Sequence, residues 1–567
     1  MNPESPREFT RRAIVTGMIL GAALTPCNVY SGLKIGWSFN MSIAAGLLAA
    51  GFWRLAARPI TLKENNINQT AASSAASIIS GGLVAPIPAL TLLTGRELAW
   101  PMLAFWVFAV SMLGVVVAAA LRRQMIVTDG LTFPAGVATA ETLRQIHAQG
   151  AESARRLKAL AAAAVVSGGV KLAAELAGAA ARLSLPGSLI GGASFRNLGI
   201  AFDPSLLMLG FGALIGLRAG LSLLLGAAAA WIVLGPWAAA NGWAPAGPPG
   251  GVWFGELVGW LLWPGVTLTV TSALASFAVS ATAAWRRRRR EGGTPALPGP
   301  GYVIALAAVT ALICLAGWFA FGLEIWVSVL AVGLSYVLAV IAARVAGETG
   351  VTPVGALGKV TQLTYGAVTP GDLTANLMTA NITGGAAGQC ADMMHDLKTG
   401  HLIGATARLQ LYAQAFGVLT GALAGSAVYL VLVPDPAAML LTADWPAPAV
   451  ATWKAVAEVL SQGLGAIPEG ALPATALAAV LGLALGLADG LLPPERARRL
   501  PSAPAMGVAF VIPAWNSLSL CLGAVLAAIL KRAAPGFAER RLTALAAGLV
   551  AGESLVGVAL AMAGLAF

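Results

Sequence analysis

Apolar stretches of membrane-crossing length alternate with short polar ones along the whole chain. They fall near residues 12–36, 40–58, 66–93, 98–121, 158–181, 203–217, 219–237 and 256–284. A second set lies near 301–321, 324–346, 353–369, 373–393, 403–433, 450–490, 503–530 and 541–567. A helix needs about 20 apolar residues to cross the hydrocarbon core. The longer runs therefore predict spanning helices, the shorter ones half-length or broken elements, and 450–490 reads as two short helices. The pattern predicts an all-α polytopic membrane protein with roughly sixteen transmembrane or half-membrane helices. Between the two sets Arg286 to Arg290 precede a Gly- and Pro-rich stretch. Five adjacent arginines do not cross lipid, so 285–300 reads as a cytoplasmic linker between an N-terminal half (1–284) and a C-terminal half (301–567). The halves share a plan. Each opens with two apolar helices and then places a Glu, Glu64 or Glu348, at the mouth of a polar segment, as in a duplicated transporter architecture.

Composition narrows the class. Of 567 residues 58% are hydrophobic and 10% charged, and the mean hydropathy is +0.79. A soluble globular chain is about a quarter charged, so a cytosolic enzyme, a nucleic-acid binder and a disordered protein are excluded. The formal charge of +11 sits in short clusters between apolar runs, the pattern of cations retained on the cytoplasmic side. Arg7, Arg11 and Arg12, then Arg54 and Arg58, then Arg122 and Arg123 all fall inside, whereas the connections 238–255 and 434–449 fall outside. The 67 glycines suit helices that approach closely in lipid. Cys27, Cys314, Cys390 and Cys521 lie in or beside apolar segments without CxxC spacing and read as small buried hydrophobes. No cleavable signal peptide is expected, because the first apolar run leads straight into the body.

Four polar interruptions carry the candidate chemistry, since ionisable groups within lipid face a cavity or a partner. In residues 25–40, Pro26 and Gly32 are expected to break or kink the helix and offer Asn28, Tyr30 and Lys34 to a cavity; the alternative is that Lys34 reaches to the interface. In 64–80, Glu64, Asn65, Asn68 and Gln69 precede Thr70, Ser73, Ser74, Ser77 and Ser80, a helix amphipathic only towards a wet interior. Its alternative is a capped helix with Glu64 as an N-terminal anion. In 347–372, Gly347, Gly350, Pro353, Gly355 and Gly358 are expected to prevent regular helix around Glu348, Lys359, Gln362, Tyr365 and Asp372. In 371–401, Asn376, Asn381 and Gln389 are expected to contact substrate, and Asp396 and Lys398 to pair at the cytoplasmic mouth. A metal held by Asp392, His395 and Asp396 is disfavoured, because no Cys or second His joins them; no metal and no cofactor are expected. Lys171 and Glu175 sit one turn apart and neutralise each other. Glu553, isolated in an apolar helix, either carries a proton or caps a neighbouring backbone. No GxxxxGK[ST] loop, HExxH or GxSxG appears, so neither nucleotide-driven transport nor hydrolysis finds its parts. Tyr30, Trp37 and Tyr365 are the few aromatics on the candidate cavity helices.

These residues also resemble a known family. The stretches "NVYSGLKIGWS" (28–38), "ENNINQTAASSAASIISGG" (64–82), "LTFPAGVATAETL" (131–143) and "GLRAGLSLLLGA" (216–227) are similar to the oligopeptide transporter (OPT) family. So are "RVAGETGVTPVGALGKVTQLTYG" (344–366), "NLMTANITGGAAGQCADMMHDLKTGHLIGATARLQ" (376–410), "LPSAPAMGVAFVIPAWNSLS" (500–519) and "AAGLVAGESLVGVAL" (546–560). The chain resembles a prokaryotic member, related to the yellow stripe-like metal-chelate transporters. The resemblance implies about sixteen membrane helices in two halves and inward, proton-driven secondary transport of peptides or peptide-like metal complexes. It supplies no substrate-contact motif, so the site residues rest on the polar interruptions. Asn28, Tyr30, Lys34, Glu64, Asn68, Gln69, Lys359, Gln362, Tyr365, Asn376, Asn381 and Gln389 are the expected substrate contacts. Glu64, Glu348, Asp372 and Glu553 are the expected proton carriers. A symporter importing small oligopeptides across the inner (plasma) membrane is the leading reading, and a proton-coupled importer of ferric siderophore or ferric citrate type chelates the alternative. A passive channel or exporter ranks below both, and an intramembrane enzyme or receptor lacks a catalytic constellation. The expected partners are substrate, protons and lipid, with no nucleic acid; a homodimer is left open.

Overall fold

The structure, a computed structural model, describes residues 8–36, 40–148, 150–177, 182–188, 193–291, 300–349, 352 and 354–564. Arg7, Trp37, Gly350, Pro353 and linker residues 292–299 lie outside the described residues. Among the described residues twelve helices are long and apolar enough to cross a membrane, and Ser42–Leu55 and Leu206–Ile215 are shorter apolar helices. The strands described are a two-residue antiparallel pair, Leu183–Ser184 with Ala201–Phe202. The expected all-α polytopic architecture is what the chain forms.

Several elements depart from the expected pattern. The run near 450–490 forms Pro448–Gln462 and a full-length Ala471–Leu491, and 503–530 divides into Ala503–Val508 and Ala514–Ala533. The helix Pro134–Ala148 has no counterpart among the apolar runs; its low hydropathy hides it. Arg11–Ile35 runs unbroken through Pro26 and Gly32, because a proline inside a membrane helix is tolerated where neighbouring helices enclose it. Nor do the glycines of 347–358 abolish helix. Gly347 lies in the last turn of Ile325–Thr349, and Gly355 and Gly358 lie within Val354–Val368. Interior glycine costs about 1 kcal/mol relative to alanine, and packing offsets it: a Cβ on Gly358 would stand 2.6 Å from the Trp453 ring. The run expected to stop near 393 continues as one 31-residue helix, Leu373–Ile403.

Small residues set the packing. A Cβ on Gly417 would meet the Ala71 carbonyl oxygen at 2.2 Å, and one on Gly552 the Ala164 carbonyl at 2.0 Å. Helices this close bring backbone carbonyls within reach of neighbouring side chains. That explains the Leu62–Ala76 helix, buried on all sides from Glu64 to Ala76. Its polar groups serve packing: Asn68 donates to the Ala13 carbonyl (3.1 Å) and Ser74 to the Gln414 carbonyl (2.9 Å). A wet face along the whole helix is therefore not what the structure shows.

The arginines meet at one end. Arg12 donates to the Arg58 carbonyl, Arg54 to Ile146 and Arg144 to Leu402, and Arg541 lies 4.0 Å from Glu152. The Lys34, Arg182 and Asp444 region lies at the far end of the helices that start from this cationic face.

Candidate functional site

A central cavity of about 650 Å³ lies where the regular elements are interrupted. The first helix ends at Gly36, whose φ is +74°. The polar helix tightens into a 3-10 turn at Ser77–Gly81 and leaves through Gly82 at φ +113°. Helices starting at Pro86, Val354 and Pro448 begin at the same wall. Glycine is obligatory at 82 for a second reason: a Cβ there would lie 2.6 Å from the Asn381 amide oxygen. Gly384, Gly385 and Gly388 line the opposing helix and leave the space open. Interrupted elements of this kind free backbone groups that are tolerated only beside a cavity.

Among the described residues, two charged side chains line this cavity, Lys359 and Asp392. Lys359 is buried. Its ammonium lies 4.1 Å from the Trp453 ring centroid and donates to Gln362 Oε1 at 2.9 Å, while the Gln362 amide donates to Asn376 (3.1 Å) and the Trp453 carbonyl (3.3 Å). Asp392 and Ser77 line the same wall. Asn381 accepts from the Trp106 indole at 2.7 Å.

A second cavity, of about 350 Å³, lies on the other side of the first helix's last turns. Tyr30 and Lys34 face it, whereas Gly32 and Gly36 face the central one. Lys34 donates to the Asp444 carbonyl and lies 4.5 Å from the Trp445 ring centroid. Arg182 bonds Asp203 at 2.9 Å and Asp444 at 3.0 Å. Burial works to lower the Arg182 pKa, and Asp203 and Asp444 more than offset it, leaving it raised. Burial likewise works against the Asp444 carboxylate, but Lys34 and Arg182 hold it below the usual carboxylate range. Lys171 and Glu175 pair at 2.5 Å, as their spacing predicts.

The expected site residues distribute unevenly. Lys359 and Asn381 line the central cavity, with Gln362 and Asn376 behind Lys359. Tyr30, Lys34 and Glu553 line the second cavity. Asn28 donates to the Ala76 carbonyl, Gln69 to Asn66 and Thr70, and Tyr365 to the Val327 carbonyl; with Asn68 and Gln389 they are not among the lining residues of either cavity. Glu64 is the capped anion: with Thr61 it completes a capping box, and both its oxygens are taken by Arg12, at 2.9 and 2.6 Å. Glu348 lies 3.5 Å from Arg344, and Asp372 caps the long helix through the Ala375 amide at 2.9 Å. Glu553 accepts from Ser205 and from the Leu207 amide, both at 2.8 Å, so it caps the start of Leu206–Ile215. Asp396 and Lys398 do not pair. Two positions apart on a helix they point different ways, Asp396 accepting from Ser42 at 3.2 Å and Lys398 donating to the Leu131 carbonyl at 2.7 Å. Sequence reading misses Asp392 as a cavity residue, although the 371–401 stretch contains it, and misses Trp453, Arg182, Asp203, Asp444 and Asn516. The aspartates flank apolar runs and look like ordinary loop charges.

An all-helical membrane bundle with a central cavity at interrupted helices is the architecture of a transporter. The family described as OPT oligopeptide transporter protein matches residues 8–563, and the chain belongs to it. A putative oligopeptide transporter of Saccharomyces cerevisiae, YGL114W, is 24% identical over 76% of this chain and 78% of its own length. The metal-nicotianamine transporter YSL2 of Arabidopsis thaliana is 24% identical over 98% of this chain and 93% of its own. The iron-phytosiderophore transporter yellow stripe 1 of Zea mays is 23% identical over 97% and 89%. The protein is thus a multi-pass membrane transporter and not an enzyme.

Proposed function

We propose that the protein is a proton-coupled symporter that imports short oligopeptides through the central cavity, with the arginine-rich face in the cytoplasm of a plasma (inner) membrane. The observation that carries this reading is the presence of one buried ammonium, Lys359, and one carboxylate, Asp392, on the walls of a single 650 Å³ space. That volume lies within the range of about 300–1,000 Å³ typical of small-ligand sites. Lys359 meets a substrate carboxylate, and Trp453 and Gln362 hold the ammonium in place. Asp392 meets the substrate amine and carries the coupled proton: protonated on the outside and released inward, it ties substrate movement to the gradient. Among carboxylates it fits this role better than Glu64, Glu348, Asp372 and Glu553, each of which is engaged by an arginine or by a helix start.

The names of the plant relatives favour a second reading, a metal chelate of an amino carboxylate as substrate, for which Lys359 serves equally. Uptake into proteoliposomes decides between them. With trialanine and with nickel–nicotianamine as substrates and an inward proton gradient imposed, concentrative, gradient-dependent accumulation of trialanine is expected. Accumulation of the chelate alone would replace the peptide reading, and downhill equilibration of both would overturn proton coupling. Lys359→Met is expected to lower uptake at subsaturating substrate at least about tenfold, equivalent to about 1.4 kcal/mol. Asp392→Asn is expected to retain exchange but lose gradient-driven accumulation.

A further inference from the structure

The second cavity contains more chemistry than a packing defect needs. Among the described residues, seven of its lining side chains are ionisable acids and bases other than tyrosine: Lys34, Lys171 and Arg182 against Glu175, Asp203, Asp444 and Glu553. Groups of both signs face one space, a mixed lining that suits a zwitterion carrying an ammonium and a carboxylate better than a polycarboxylate. The charges are prearranged by one another, so a ligand meets fixed groups: Arg182 is held by two aspartates, Glu553 by Ser205 and the Leu207 amide, Lys171 by Glu175. Each carboxylate oxygen of Glu553 accepts from one of these donors and has a further lone pair, and the Lys171 ammonium has protons beyond the one given to Glu175.

A separate observation points to an occupant. Asn516 is 4% exposed and lines this cavity, and among the described residues no hydrogen bond is made by its side-chain amide, which stands in the first turn of Ala514–Ala533. Its primary amide offers two donors and an acceptor to whatever occupies the cavity. Its neighbour Trp515 is fixed by Arg182, whose guanidinium carbon lies 4.6 Å from the ring centroid. Asn516 therefore lines a space of about 350 Å³ whose cations and carboxylates are interleaved as ion pairs.

We propose that this cavity is a second binding site, at the end of the bundle opposite the arginine clusters, for the zwitterion of a short peptide. Asn516 bonds the peptide group, Glu553 and Asp203 face its ammonium, and Lys171 faces its carboxylate. The last turns of the first helix line both this site and the central cavity, so it serves as a capture site ahead of transport. The proposal rests on the peptide-import reading in its choice of ligand, but not on Lys359 or on coupling.

Calorimetric titration of the detergent-purified chain with trialanine tests it, using Lys359→Met to silence the central cavity. Lys359→Met is expected to retain trialanine binding, and Lys359→Met with Asn516→Leu to weaken it at least tenfold; N-acetyl-trialanine amide, which lacks both charges, is expected not to bind Lys359→Met. Asn516→Asp, close in shape, separates loss of the amide from loss of fold: it is expected to remain folded by its melting temperature and to favour the amine-bearing ligand with a blocked carboxylate. Loss of all trialanine binding in Lys359→Met, or equal affinity with and without Asn516→Leu, overturns the second site. The import reading fails separately, through absence of concentrative uptake by the wild-type chain in proteoliposomes, and either result stands without the other.

Discussion

At the residue scale, an ionisable side chain in this protein is defined by what it touches more than by its depth. Glu64 is only 2% exposed, yet Arg12, Thr10 and the Thr61 amide saturate it. Removing Arg12 leaves a buried carboxylate without its counter-charge, whereas neutralising Glu64 costs hydrogen bonds but strands no buried charge, since Arg12 is one-third exposed. Arg12→Ala is therefore expected to lower stability by about 1–3 kcal/mol, more than Glu64→Gln, with trialanine uptake per folded molecule retained in both; melting temperature and uptake measured on the same preparations check this. The polar identities are legible in the sequence. The division between cavity residues such as Lys359 and glue such as Asn68 is not, because both are polar residues in apolar surroundings and differ only in which backbone lies opposite.

Secondary elements obey the hydrophobic pattern where they span and escape it where they are enclosed. The pattern alone ends the Leu373–Ile403 helix early, because Gly384, Gly385, Gly388, Asp392 and Asp396 look incompatible with a membrane helix. Enclosed on every side, it needs no apolar face towards lipid. Glycine has opposite meanings at different interfaces, which yields a paired prediction. Gly417→Leu places side-chain atoms where the Ala71 carbonyl stands and is expected to reduce the folded yield sharply. Gly169 lies in the Gly150–Ala177 helix, and a methyl group added there would have nothing within 4 Å of it. Gly169→Ala is therefore expected to be neutral or to stabilise by up to about 1 kcal/mol. Size-exclusion profiles and melting temperatures in one detergent compare the two.

On the scale of the whole molecule, the far end is tied together by charge: Arg182 joins the loop after the Gly150–Ala177 helix to Asp203 and to Asp444 in the connection following Ala407–Leu432. Because the folded-state pKa of Asp444 lies below its ordinary value, its contribution is fully present above that ordinary value and is lost as the pH falls through the lower, folded one. Asp444→Asn is expected to melt below the wild type at pH 7 and equally so at pH 5, the gap closing only in stronger acid. The Asp444 side chain is 64% exposed and that of Arg182 39%, so water screens the pair and the gap corresponds to less than about 1 kcal/mol. A gap that closes between pH 7 and 5 would contradict the assignment. What the sequence determined by itself was the all-α polytopic class and the family resemblance, since each is a local or linear property: runs of apolar residues, clustered arginines, short motifs in order; the bounds of several helices it did not determine. Which polar residues share a cavity is visible only in the tertiary structure. Lys359 and Asp392 are distant from Pro448 and Gly36 in the chain, and Asn516 from Tyr30 and Lys171. Packing at interrupted helices brings each set around one space and leaves equally polar neighbours to bond the backbone.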